Sequence, residues 1–489
     1  MTDTITGSDV PTAADPAPPR GRTPWFGPLL RRLHFYAGLL VGPFILVAAT
    51  SGALYALTPA LEQVVYDQEL HAPVADTALS LGDQVEIAQG QVGADAVLTA
   101  VRPAPEPGDT TRVMFGEDGL GPSESRAIFV DPATGEVRGD LTVYGSSGAL
   151  PLRTWISNLH RSLHLGDPGR IYSELAASWL GIVAVAGLIL WIGRLRASRR
   201  AAGVVRPKRR QTGYRRLLSW HTAVGAVVVL GALFLSVTGI TWSQYGGANV
   251  GELRSALGWT TPALDTRVAG GAPAETDEHA GHGGGASGAD GAVDPAMFDA
   301  VLAVAQGINV NTNEVEIKPP AEAGTAWTVQ ENKSDVPTEA DSVAVDGATM
   351  QVVHRTDFVS FPLPAKLTTW GIDLHMGLLL GTVNQVLLFV LALGIGSMVV
   401  LGYLMWWRRR PTREPRWLGG LGGLGGAAPR RGVLQGTPWW GLAAVAAVAI
   451  TVGTFLPLVG YTLVAFVLVD VVVGLVQARR AGERVSATP

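Results

Sequence analysis

Six apolar runs constrain this chain more than any motif in it. Residues 29–57, 172–195, 217–245, 383–407, 439–456 and 459–477 are each apolar over roughly the 20 residues that a helix needs to cross a hydrocarbon core. In lipid the backbone must satisfy its own hydrogen bonds, so such runs become helices. The expectation is a membrane all-α core of about six transmembrane helices. Only Pro457-Leu458 separates the last two runs, which read as a tight hairpin or a re-entrant pair. Basic residues set the orientation. Arg31-Arg32, the Arg/Lys-rich stretch from Arg194 to Arg216, Arg408-Arg409-Arg410 with Arg413 and Arg416, and Arg479-Arg480 all fall on one side of such a bundle. That side is expected to be cytoplasmic, with both termini inside.

The chain states one plan twice: span, polar exterior stretch, short interfacial helix, span. The expected order is a disordered tail (1–28), a span (29–57), an exterior domain (58–152), an interfacial helix (153–171), a span (172–195) and a basic loop (196–216). The second round follows with a span (217–245), an exterior domain (246–363) carrying a Gly-rich insert (270–291), an interfacial helix (364–382) and a span (383–407). A linker (408–437), two further spans (438–456 and 459–477) and a short tail (478–489) complete the chain. Within the first exterior stretch, 81–91 reads as a helix and 96–102, 111–115 and 126–130 as strands, with a turn at Asp131-Pro132-Ala133-Thr134-Gly135. Within the second, 295–305 reads as a helix and 313–318, 325–330 and 342–345 as strands, with Asp346-Gly347 turning into 350–354. The fold class is therefore a helical membrane core of two pseudo-repeated halves with two extracytoplasmic α+β domains.

Cysteine is absent, which excludes disulfides, iron–sulfur clusters and covalently attached haem. Net charge is −4 and the basic clusters are explained by topology, so nucleic acid is not an expected partner; the lipid bilayer is. No Gly-rich dinucleotide loop follows a strand, so the chain has no hydride site of its own.

Four histidines are matched between the halves. His34 and His221 open two apolar runs, each with a glycine four residues on, Gly38 and Gly225, and each run reaches a small-residue pair, Ser51-Gly52 and Thr238-Gly239. Leu159-His160 is matched by Leu374-His375 at the other membrane boundary. A six-coordinate haem b needs two neutral imidazoles from different helices, with small residues beside them. The expected bis-histidine pairs are His34 with His221 and His160 with His375, holding two haems, with Gly38 and Gly225 as smooth faces for the porphyrins. A single interfacial histidine ordinarily snorkels or bonds a neighbouring helix. Four at repeat-matched positions favour ligation, because polar groups in a bilayer are costly. His164, one turn after His160, has Leu379 as its counterpart and is either an alternative ligand or an interfacial histidine. His279 and His282 read as solvated linker, and His71 and His354 as structural. Arg161, Arg170 and Lys366 are candidate partners for propionates or an anionic ligand, or plain interfacial anchors.

Arg32-Leu33-His34, Leu159-His160-Arg161-Ser162-Leu163 with Gly166-Asp167-Pro168-Gly169, Trp220-His221, Leu374-His375-Met376-Gly377 and the Asp131–Gly135 turn resemble the PepSY-associated transmembrane helix family of bacterial membrane proteins. The resemblance covers about 29–410 and departs where the second half has Thr382-Val383-Asn384 for the Asp-Pro-Gly turn. It implies a bacterial cytoplasmic (inner) membrane and a haem-containing reductase whose partner is a ferric siderophore or another oxidised metal complex. Electrons are then expected from a separate cytoplasmic reductase or a membrane quinol. The rival expectations are a haem-free regulator or sensor whose PepSY-like domains bind a protein partner, and a quinol-linked electron carrier; a transporter is disfavoured, since the spans lack buried acids and clear mid-helix breaks.

Overall fold

A computed structural model describes residues 25–93, 95–197, 207, 210–268, 293–409, 429 and 437–486. Most of the expected N-terminal tail, most of the basic loop, the Gly-rich insert with His279 and His282, and most of the linker lie outside the described residues. The first half runs α1 (Phe26–Leu40), α2 (Gly42–Ala56), α3 (Thr58–Val65), α4 (Asp67–Leu70), α5 (Leu81–Gln89), β1 (Val97–Arg102), β2 (Thr111–Gly116), β3 (Glu124–Val130), β4 (Val137–Tyr144), α6 (Pro151–Ser162) and α7 (Asp167–Ala197). The second runs α8 (Gly213–Thr241), α9 (Tyr245–Ala256), α10 (Met297–Gln306), β5 (Val315–Lys318), β6 (Trp327–Glu331), β7 (Ser342–Val345), β8 (Val352–Thr356), α11 (Leu363–Met376) and α12 (Gly381–Arg408), and is followed by α13 (Trp439–Phe455) and α14 (Pro457–Ser486).

Among the described residues, α7, α8, α12 and 457–477 within α14 are single helices long and apolar enough to span. The first expected span is not one straight helix: α1 and α2 meet at a 62° bend. Pro43, in the first turn of α2, brings no N–H to the ladder and so breaks it there. Counting that pair as one gives five spans, one fewer than expected. The sixth, α13, has 17 residues and falls short of the length that the other spans reach. It lies against α14, where the Cβ that Gly453 lacks would come within 3.1 Å of the Gly460 Cα; small residues let two helices approach this closely. Ala37 and Ile45 from the bent pair, Trp179 of α7, Val228 of α8, Ile395 of α12 and Val459 of α14 make one apolar bundle core. The terminal hairpin is tied into that bundle by Trp179 Nε1 donating to Thr462 Oγ1 at 3.0 Å and by Arg32 donating to Asp470 at 2.5 Å.

The strand-bearing segments depart from the expectation of two separate domains. Among the described residues, eight strands form one antiparallel sheet in the order β4-β3-β2-β1-β5-β6-β7-β8. Each half supplies a four-stranded meander, and the two join where Val101 of β1 faces Ile317 of β5. A strand edge left open in each half is an aggregation hazard, and pairing the two edges removes it. Local sequence cannot reveal this, because β1 and β5 each look complete on their own. One face of the sheet packs against α5 and α10 in a single core that contains Val85, Phe115, Ile128, Phe298, Val301 and Val329. The halves are also stitched by Asp299 of α10, whose carboxylate accepts the Leu81 and Gly82 N–H groups at the start of α5 at 2.9 and 2.8 Å. Such a cap satisfies donors that a helix start leaves open. The other face of the first meander packs on Leu70 of α4 and on Leu150, with Phe129 at its centre.

Both meanders turn by the same device. Asp131 accepts from the Ala133 N–H and the Thr134 hydroxyl, and Asp346 accepts from the Ala348 N–H and the Thr349 hydroxyl. The halves are thus one unit used twice, down to hydrogen-bond detail.

Candidate functional site: two levels of paired histidines

α6 and α11 bring the outer histidines against the bundle. In α6, Pro151 sits in the first turn, where its missing N–H costs nothing, and the helix ends at Ser162 with Leu163 and His164 both at positive φ. Gly166 follows at φ 62°, and Asp167-Pro168 opens α7. Gly169 then lies so close to the Ser162 carbonyl that an added Cβ would stand 1.7 Å from its oxygen. The Gly-Asp-Pro-Gly run is therefore a sharp reversal that only glycine permits at 169. In the second half Gly377 (φ 81°) and Gly381 (φ 55°) make the same reversal without Asp-Pro-Gly.

His160 meets α2. Its Nδ1 lies 3.0 Å from Ser51 Oγ, and Gly52 leaves the room for the ring, since a Cβ there would sit 3.0 Å from its Cε1. Tyr55 stacks nearly parallel to the ring at 6.4 Å. His375 meets α8 in the same way: its Nδ1 lies 2.5 Å from Thr238 Oγ1, with Trp242 and Phe234 at 5.6 and 6.5 Å. These contacts fix the tautomers. The Ser51 hydroxyl donates to Val47 or Ala48 carbonyls and that of Thr238 to the Phe234 carbonyl, so each is left to accept. Nδ1 must then carry the proton in both rings, and each Nε2 presents a lone pair. Burial, reinforced by the nearby His160, pushes the His375 imidazole down to about 3, and burial lowers His160 as well. Both are neutral at physiological pH, as iron ligands must be.

At the inner level His34 and His221 stand with ring centres 6.1 Å apart and planes at 78°. His34 Nδ1 donates to the Val183 carbonyl at 3.0 Å, and Gly187 makes room for this ring, a Cβ there falling 3.1 Å from its Cε1. The Met398 carbonyl stands toward His221 as Val183 does toward His34, as an acceptor for its ring N–H, though outside the geometry of a well-formed hydrogen bond. The spacing of the two rings is close to what one metal atom bonded to both, at about 2 Å each, would impose. Fixed tautomers at three rings, a backbone carbonyl set toward the fourth and a spacing of this size fit haem ligation. Among the described residues no three His, Asp or Glu side chains cluster as a ligand set for a bare metal ion.

The remaining candidates are placed as follows. Gly38 faces open space, whereas Gly225 is covered by Met398, whose Cε would be 2.8 Å from an added Cβ. His164 lies tilted against Trp155 with ring centres 5.0 Å apart, in the reversal after α6. Arg161 lies over the Tyr144 ring and bonds Asn158, and Lys366 donates to the Val359 carbonyl. His71 pairs with Asp109 at 3.1 Å, and His354 Nδ1 accepts from the Asp265 N–H. The sequence reading missed the orienting residues Ser51, Thr238 and Val183 and the accommodating glycines Gly52 and Gly187. The repeat-matched Ser-Gly and Thr-Gly pairs were the signal for three of them, Ser51, Gly52 and Thr238.

Residues 31–409 match the family described as PepSY-associated TM region, which leaves the terminal hairpin outside the match. A search among curated proteins returns no match.

Proposed function

Because this chain belongs to the PepSY-associated transmembrane family, we propose that it is a membrane oxidoreductase that carries electrons outward through two haems b. They would be held by His34 with His221 and by His160 with His375, and the terminal acceptor is a ferric complex, a ferric siderophore by family resemblance. The observation that carries this reading is the matched pairing: each level draws one imidazole from each half, with three of the four rings oriented through Nδ1.

Bound haem supplies one-electron chemistry at a potential that the surrounding protein sets. The chain's residues hold the imidazoles neutral, fix their tautomers through Val183, Ser51 and Thr238, and wall the pairs with apolar helix. At the exterior face the acceptor's Fe(III) takes one electron to become Fe(II). That weakens its hold on hard oxygen donors and frees the metal. The electron comes from a separate cytoplasmic reductase or from a membrane quinol. Six crossings, with α13 and α14 as a hairpin and both termini cytoplasmic in a bacterial inner membrane, complete the picture. Basic residues flanking the spans support that orientation.

The test is a reduced-minus-oxidised spectrum of the detergent-purified chain with haem quantified per protein, repeated for His34→Ala and His375→Ala. Two b-type haems per chain, falling to about one in each variant, are expected. A chain without haem overturns the proposal and leaves a PepSY-domain protein that binds a partner.

A further inference from the structure

Between the sheet and the bundle lies a cleft of two adjoining chambers, about 270 and 190 Å³, both lined by Gln63, Leu70, Arg112 and Ser147. Three arginines enter its walls, and their partners differ. Arg102 is taken: its guanidinium pairs with Glu316 at 2.6 Å. Arg153, only 5 % exposed, faces Glu62 at 3.6 Å, while its Nη2 is buried with no hydrogen-bond partner among the described residues. Arg112 lies over the Phe129 ring and reaches the Gly148 carbonyl only at 3.4 Å. No carboxylate pairs with it among the described residues.

Glu62 and Asp109 offset part of the Arg112 charge, but no acid of the cleft pairs with it directly, because each has other company. Glu316 is shared by Arg102 and Lys318. Glu62 accepts the Leu150 N–H at 2.7 Å and faces Arg153. Asp109 pairs with His71 and accepts the Glu106 N–H. Glu314, at the rim, is pushed towards its neutral form by burial and by neighbouring acids. A half-buried guanidinium with no direct carboxylate partner is left with unused donors, and a bidentate oxyanion is its best partner.

We propose that this cleft binds a small anionic ligand carrying carboxylate or phosphate groups, gripped by Arg112 above the Arg153 floor. The volume suits a small molecule. Both halves line the cleft, but the gripping arginine belongs to one half only. Strand register places Thr328 opposite Lys318 and Ala344, as Arg112 is opposite Arg102 and Phe129, so the second half carries threonine at the matched position. Its floor is also joined to the outer histidines. Arg153 Nε reaches the Tyr55 hydroxyl at 3.4 Å, Tyr55 stacks on His160, and Leu378, three residues after His375, closes the lower chamber. Resting on the reductase reading, the ligand is an anionic metal chelate docked beside the outer pair; the anion site itself does not depend on haem.

The experiment is isothermal titration of the detergent-purified full chain with citrate, inorganic phosphate and ferric citrate. At least one probe is expected to bind saturably. Arg112→Gln should weaken that binding tenfold or more, and Arg112→Lys should weaken it less. Ser147→Glu, which puts a carboxylate on an exposed turn facing Arg112, should weaken it as strongly as Arg112→Gln without disturbing the sheet. Arg126→Gln, which removes a surface ion-paired arginine of β3, should leave it unchanged. Ferric citrate binding tenfold tighter than citrate identifies a chelate; equal binding identifies a free oxyanion. Absence of saturable binding for all three probes, or binding indifferent to both Arg112→Gln and Ser147→Glu, overturns the proposal. Because the readout is binding heat, a chain that lacks haem but still binds citrate sinks the reductase reading and leaves this site standing.

Discussion

Thr238→Val is the sharpest probe of the outer level, since it removes one hydrogen bond and little else. The Thr238 hydroxyl spends its proton on the Phe234 carbonyl and accepts the Nδ1–H of His375 at 2.5 Å. Valine keeps the shape and loses the acceptor, and the Phe234 carbonyl retains its helix bond. The His375 N–H is then buried with nothing to accept it, a cost of about 1–3 kcal/mol. The ring escapes that cost by rotating or by changing tautomer, and either move spoils Nε2 as a ligand. In affinity, the same range is about 5- to 150-fold. It overlaps the roughly 10- to 100-fold that loss of an orienting partner costs other metal-bound histidines. The assay is competition for haem with apomyoglobin, followed spectroscopically: the variant should release one haem of two at least fivefold more readily. Thr50→Val is the control, because Thr50 is exposed on α2 and its hydroxyl bonds only the Leu46 carbonyl. Unchanged haem retention in Thr238→Val, or an equal loss in Thr50→Val, would refute the assignment of His375 as a ligand oriented by Thr238.

Gly169→Ala should drive α6 away from the start of α7, because its Cβ would meet the Ser162 carbonyl oxygen at 1.7 Å. Haem content should fall to about one per chain with the inner pair retained, and equal loss at both levels in the spectrum would contradict this. Glu316→Ala strips Arg102 of its buried partner and should cost about 3–5 kcal/mol, seen as earlier melting of the exterior sheet by circular dichroism; unchanged melting would show that Arg102–Glu316 does not join the halves. The same pair gives an acid dependence. Burial alone would raise the Glu316 carboxyl, but Arg102 and Lys318 overcome it and bring the pKa to about 2. With an unfolded value of about 4.3, its stabilisation is complete above that pH and is lost as pH falls towards 2. Urea melts at pH 5 and pH 3 should therefore differ less for Glu316→Gln than for the parent.

What the sequence disclosed depended on how far apart the interacting residues lie. Apolar length and basic flanks located the long helices, and turn chemistry at Asp131 and Asp346 placed the strand ends, because those signals are local. The bend in the first span was written in Gly42-Pro43, inside a run whose hydropathy stays uniform across it. The fusion of the two meanders was not legible: Val101 and Ile317 are ordinary β residues, and nothing in either strand says which edge its partner offers. For the site, repeat matching found the four histidines, while the roles of their orienting groups escaped notice. Ser51 and Thr238 stood out as repeat-matched small residues, but which ring each would meet depends on how α6 and α11 fold back. Val183 contributes only a backbone carbonyl, which no side-chain pattern reports. Arg112 and Arg153 were missed for a related reason: whether an arginine is paired is a property of the assembled fold.

On the proposed haem reading, the duplicated plan makes the joining of the two halves a condition of the site. Matched residues stand a constant distance apart within each region: His34 and His221 share their spacing with Ser51 and Thr238, while Asp131 and Asp346 share theirs with His160 and His375, and with Val183 and Met398. The second spacing is longer than the first, and the Gly-rich stretch 270–291 lies in the interval where it grows, so the added residues enter without disturbing either constellation. Each half alone supplies one imidazole per level, so neither half can hold a bis-ligated centre. The two must be clamped together, and at the outer level α6 packs on α2 and α7 as well as on β4, while α11 packs on α8. Beside the bundle itself, the halves are joined by the Val101–Ile317 pairing, the Arg102–Glu316 ion pair and the Asp299 cap on α5. The exterior sheet is then more than a lid over the bundle. It ties the two halves together beside α6 and α11, and loosening it is expected to disturb the outer level more than the inner pair, which α1, α7, α8 and α12 hold within the bundle.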